Sequence, residues 1–168
     1  MSKKESNSME DSSGTWAELS LKELVAYISK HFHEFSMEQI DHISERLCCH
    51  CDETPGECSK QEILESWELF AREYLSHMRK EEMLIFPLIC ALVEEENHDT
   101  TRILRDVLAQ VVVEHRTIDR YLEQFGEKLE CCNSCNADLA DYWQVFVENH
   151  ARHHQFEEEQ LFARIGKL

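Results

Sequence analysis

Two segments of this chain carry the same arrangement of chemically active side chains. His77-Met78-Arg79-Lys80-Glu81 is followed four residues on by Ile85-Phe86, and His153-His154-Gln155-Phe156-Glu157 is followed four residues on by Leu161-Phe162. Both read H-x-x-x-E-x-x-x-aliphatic-Phe. In a helix, residues four apart lie on one face, so each segment offers an imidazole and a carboxylate to one point, with the apolar pair continuing towards a core. A buried carboxylate is costly unless it is paired or bound to metal. Imidazole with carboxylate suits iron, manganese or zinc, and iron where open positions are to take O2 or NO. One H-x-x-x-E arises easily by chance; two copies with the same apolar continuation are a far stronger signal.

The elements that must position these residues are long helices. Four glycines and two prolines in 168 residues argue against a turn-rich sandwich or barrel. Ser20-Leu21-Lys22-Glu23 and Ser59-Lys60-Gln61-Glu62 are capping boxes that open the first and second helices. Apolar residues at helical spacing run from Leu24 through Ile28, Phe32, Ile40 and Ile43 to Leu47, and Pro55-Gly56 then breaks the chain. The second helix extends to about Val93, with a kink expected at Pro87. The third runs from about Thr100 to Leu129 with Gly126 near its end, and the fourth from about Ala137 to Ile165, stopping at Gly166 as a C′ glycine. Four helices with short connections predict an all-α, up-down-up-down four-helix bundle. At about 150 residues per domain, this is one domain over 18–168, preceded by a disordered tail over 1–17.

Bundle geometry then links the two motifs to lone histidines on the other helices. Residues equidistant from a turn sit level in an antiparallel hairpin. The midpoint of His33 and His77 is Pro55, that of His77 and His115 is Glu96, and that of His115 and His153 is Ser134; all three fall in the turns. Four histidines (His33, His77, His115, His153) and two glutamates (Glu81, Glu157) are thus expected in one layer. His31 or His150 passes the same height test; the H-x-x-x-E pairing favours His153. Two glutamates can each bridge two ions, with two histidines per ion leaving positions open. The Glu-x-x-His order of ferritin-like bundles is absent at these positions, and H-E-x-x-H is absent as well.

The segments His77–Pro87, Glu114-His115-Arg116-Thr117-Ile118, His153…Glu157…Leu161-Phe162-Ala163-Arg164 and Leu24–His33 resemble the hemerythrin H-H-E domain, and most closely the repair of iron centres family of di-iron proteins. The resemblance covers about 18–168. It implies His33, His77, Glu81, His115, His153 and Glu157 as ligands of two non-haem iron ions, bridged by carboxylate and oxo groups. It also implies a hemerythrin-like fold and a role in repairing iron–sulfur clusters damaged by nitrosative or oxidative stress, through iron donation, NO reduction or both. O2 or NO would be the small ligands and iron–sulfur proteins the targets. An O2 or NO carrier or sensor, or an iron store, is the alternative. Asp41 and Ala163 stand where the family has proline. The family's usual N-terminal cysteine domain has only a short tail to match it here.

The remaining features set bounds. Seventeen basic against 34 acidic residues give a net charge of −17, which repels nucleic acid and anionic membrane surfaces and attracts cations. No apolar run is long enough to cross a bilayer, and the N-terminus has no hydrophobic signal core, so a cytoplasmic location is expected. Cys48, Cys49, Cys51 and Cys58 cluster near the first turn, and Cys131, Cys132 and Cys135 at the third, at the same end of the predicted bundle. They read as a redox dithiol or a metal site in place of the cysteine domain, or else as incidental loop thiols. Glu73 and Glu114 are candidate acceptors for a ligand N–H. His50 is too far from His33 to join the layer. His31, His42, His98, His150 and His154 read as solvated or partly buried surface histidines.

Overall fold

The computed structural model describes residues 16–50, 59–94, 98–130 and 137–167, and among them the only regular structure is helix, with no strand. Four rods make a helical bundle. Rod α1 consists of an α-helix Leu21–Ile28, a π-helical segment Ser29–His33 and an α-helix Glu34–His50. Rod α2 is Lys60–Lys80, a π segment Glu81–Ile85 and Phe86–Glu94. Rod α3 is one helix, His98–Glu130, and α4 is Ala137–Phe156, a π segment Glu157–Phe162 and Ala163–Ile165. No helix among the described residues is long and apolar enough to cross a membrane.

Both capping boxes form. Ser20 Oγ accepts from the Glu23 N–H while the Glu23 carboxylate accepts from the Ser20 N–H, and Ser59 and Glu62 do the same. Each satisfies two backbone donors that a helix start leaves orphaned. Ser59→Ala is therefore expected to destabilise the fold by about 1 kcal/mol, read as a shift in urea midpoint at constant slope.

One local expectation is corrected. Gly166 ends α4 in a right-handed conformation, φ −60° and ψ −19°, rather than as a left-handed C′ residue. The irregularity near Pro87 is the π segment just before it, where the Phe86 N–H donates to the Glu81 carbonyl across a widened turn. Trp16, assigned to the tail by the sequence, stands edge-on to Phe156 and against Tyr27.

The core is split in two. One apolar cluster takes Leu21–Phe32 from α1, Ile85–Leu92 from α2, Leu104–Val111 from α3 and Phe156–Ile165 from α4. The other takes Ile40–Leu47, Ile63–Met78, Ile118–Leu129 and Leu139–Phe146. Apolar burial drives each half together. On every rod the two clusters meet around a predicted ligand: His33 on α1, His77 and Glu81 on α2, His115 on α3, His153 and Glu157 on α4. A polar layer is thereby held between two hydrophobic blocks, on elements too well packed to let it drift.

Candidate metal centre

His33, Glu81, His153 and Glu157 are fully buried, and His77 and His115 nearly so. They form two donor groups: His33, Glu81, His153 and Glu157 in one, and His77, Glu81, His115 and Glu157 in the other. Within each group the ligand atoms lie within 4.8 Å of one another. Both carboxylates belong to both groups. Glu81 sets Oε2 3.4 Å from His33 Nε2 and Oε1 3.5 Å from His77 Nε2. Glu157 sets Oε1 2.9 Å from His153 Nε2 and Oε2 3.2 Å from His115 Nε2. Each glutamate therefore turns one oxygen to either side.

The outer nitrogen of every imidazole is also held. His33 Nδ1 is 2.9 Å from Glu82, and His115 Nδ1 is 2.9 Å from Glu158. His77 Nδ1 is 3.4 Å from Glu114, which Lys80 also contacts. His153 Nδ1 is 2.9 Å from the Tyr74 hydroxyl, itself 3.2 Å from Ser36 Oγ. An acceptor on Nδ1 fixes the tautomer that leaves the Nε2 lone pair free and strengthens it as a ligand. Aromatic faces complete the walls: Phe86 on His33, Phe32 on His153, Phe162 on His115 and Tyr74 on His77. A cleft of about 200 Å³ between α2 and α3, lined by His77, Lys80, Glu114, Thr117 and Tyr121, reaches the layer from outside.

The electrostatics of the bare layer show what it lacks. Burial pushes Glu81 up, and the neighbouring Glu157 charge adds to this. Burial acts upward on Glu157 too, but His153, His115 and His33 outweigh it and hold it well below the usual carboxylate range. Burial lowers His33 and His115, yet the carboxylates of Glu157 and Glu81 beside them bring them up to about 10 and about 9. Burial dominates at His153, pushed down to about 4. His77 Nε2, His115 Nε2, both Glu81 oxygens and Glu157 Oε2 are buried without a hydrogen-bond partner among the described residues. An orphaned buried polar atom costs about 1–3 kcal/mol, and cations held one in each donor group would satisfy all five. The donor chemistry fits, and this cluster could hold metal ions.

The six side chains expected in one layer do lie together, and several others not singled out from the sequence contact them. Glu114 accepts from His77 as considered; Glu73 does not, pairing instead with Arg72. Glu82, Glu158 and Tyr74 were not identified. A signal existed for two of them, because each motif glutamate is followed directly by another, Glu81-Glu82 and Glu157-Glu158. His150 and His154, expected near the surface, are buried at 2% and 6% exposure, both bonded to Asp119. His150 lies against Tyr74 and Phe146, and His154 stacks on His115. His31 is exposed, as expected. Among the cysteines, Cys48 is exposed with a free thiol and so is the partly buried thiol of Cys90 free. Cys51, Cys58, Cys131, Cys132 and Cys135 lie outside the described residues, and only the backbone of Cys49 lies within them.

Tyr74→Phe tests the outer supports. It removes one oxygen from a fully buried ring, so the helices should be retained while metal affinity falls roughly 10–100-fold. Competition against a chromophoric chelator would measure it; unchanged affinity would show that the hydroxyl does not orient His153.

No protein-family model matches the chain, and no curated protein matches it in sequence.

Proposed function

We propose that the layer is a non-haem di-iron centre in an up-down-up-down, hemerythrin-like bundle. In this reading the protein restores iron–sulfur clusters damaged by nitrosative or oxidative stress, by iron donation, NO reduction or both. The observation that carries it is the sharing of Glu81 and Glu157 between two otherwise separate histidine pairs. One ion needs no such duplication, whereas two ions held close need bridging negative charge. The topology is supported by the two apolar clusters: one joins the beginnings of α1 and α3 to the ends of α2 and α4, and the other joins the ends of α1 and α3 to the beginnings of α2 and α4.

Two imidazoles and two bridging oxygens leave an ion short of six ligands, and iron suits imidazole–carboxylate sites with open positions. When bound, iron supplies one-electron redox chemistry and affinity for O2 or NO. The chain's own residues do the rest. Glu82, Glu114, Glu158 and Tyr74 orient the imidazoles, the phenylalanine walls exclude bulk water, and the cleft beside His77 admits small ligands. The net charge of −17 raises the local cation concentration around the molecule.

The test is anaerobic purification followed by metal analysis, visible spectroscopy and iron transfer. Two irons per chain, oxo-bridged ferric bands on oxidation, and recovery of an NO-damaged iron–sulfur enzyme are expected. Zinc in place of iron, with no redox-dependent spectrum, would end the di-iron reading. Tightly held iron with a stable, reversible O2 adduct would replace repair by a carrier or sensor function.

A further inference from the structure

A second cluster lies one helical turn from the layer and has no part in that reading. Asp119 stands on α3 one turn after His115. His150 and His154 are four residues apart on α4, so they share a face. Asp119 Oδ1 is 2.8 Å from His150 Nε2 and 3.1 Å from His154 Nδ1. A ligand atom from each of the three lies within 4.8 Å of the others.

We propose that Asp119, His150 and His154 form a separate mononuclear site for a divalent transition-metal cation. Metal–nitrogen and metal–oxygen bonds of about 2.0–2.2 Å place neighbouring ligand atoms around 3 Å apart, which is the spacing already present. Two imidazoles and one carboxylate are a donor set that binds such cations while leaving positions open. The side chains of His150 and His154 are 3% and 8% exposed and that of Asp119 is 47% exposed. A cation would enter from the Asp119 side and keep water on its open positions. His150 Nδ1 and His154 Nε2, the ring nitrogens that do not face Asp119, have no hydrogen-bond partner among the described residues; a cation between the other two nitrogens and Asp119 leaves them so, and its binding free energy offsets their cost.

The cluster is distinct from the main layer by ring geometry. His154 lies face to face with His115, centroids 3.8 Å apart and planes 7° from parallel. Imidazole lone pairs lie in the ring plane, so stacked rings cannot both aim at one ion. The ligand atoms of His77, His115 and His154 do lie within 4.8 Å of one another, so a fifth imidazole on the main centre is the competing assignment.

Titration of the chelator-stripped full chain with Co2+, without oxygen, separates them. Three Co2+ per chain are expected for the native sequence. Asp119→Asn and His150→Gln should each bind one fewer, with helix content unchanged by circular dichroism. Glu81→Ala should keep the Co2+ that His150→Gln loses. A native stoichiometry of two that survives His150→Gln and Asp119→Asn overturns the proposal. So does a cobalt spectrum altered by His154→Gln alone, which would make His154 a ligand of the main layer. A native stoichiometry of one, retained in Glu81→Ala and lost in His150→Gln, would support this site while removing the di-iron reading.

Discussion

Stripping the metal from loaded protein is expected to lower its thermal midpoint by about 15–30 °C, the largest single effect the structure implies. A ligand that binds only the native state at a thousand times its dissociation constant stabilises by about 4.1 kcal/mol, so two ions give about 8 kcal/mol. For a chain in this size range each kcal/mol moves the midpoint by about 2–4 °C. The structural basis is the set of unpaired atoms in the layer, both oxygens of Glu81 above all, which have no hydrogen-bond partner among the described residues. The two apolar clusters on either side remain intact without metal, so the stripped chain should stay helical and unfold cooperatively at the lower temperature. Calorimetry of chelated and reloaded samples at matched concentration decides the matter. Coincident midpoints would mean that the cluster does not bind metal tightly.

The second large effect is an asymmetry between ligand types. Glu81→Ala or Glu157→Ala should abolish binding of both ions of the layer, whereas His33→Ala should chiefly weaken the group it shares with His153. Each glutamate places one oxygen in either donor group, so its loss takes a ligand from both at once. It also removes half of the bridging negative charge that lets two cations sit close together in a site of low dielectric. His33 contributes to one group only, and the His77–His115 side keeps all four of its donors. Elemental analysis after desalting reads the difference. Full metal content in Glu81→Ala would show that the carboxylate does not bridge, and equal losses in all three variants would show that the two groups are one cooperative unit.

How far the residues alone lead depends on the range of the interaction. Ser20, Ser59 and the helical spacing from Leu24 to Leu47 act on their own turns, and the helix ends follow them closely. His77 with Glu81, and His153 with Glu157, lie on one face because four residues make about one turn. In antiparallel hairpins, equal distances from the turns extend that expectation to His33 and His115. The π segments Ser29–His33, Glu81–Ile85 and Glu157–Phe162 were not legible. Each adds a residue to a turn beside a ligand, and widened turns of this kind mark functional positions in helices. No local spacing pattern in the sequence records them.

The fate of His150 and His154 makes the same point. Nothing adjacent to them in sequence separates a buried imidazole from an exposed one, because a rotation of about 100° about the helix axis per residue decides which way each faces. That rotation is set by how α4 seats against α1 and α3. By itself, then, the sequence determined the four helices, their caps, and a level of imidazole and carboxylate, all consequences of spacing along one chain. Only the tertiary structure decided that Glu81 and Glu157 divide their oxygens between two histidine pairs. It also decided that Glu82, Glu114, Glu158 and Tyr74 brace those pairs and that Asp119 meets two further imidazoles. These contacts depend on the mutual rotation of packed helices, a quantity fixed by the whole core at once.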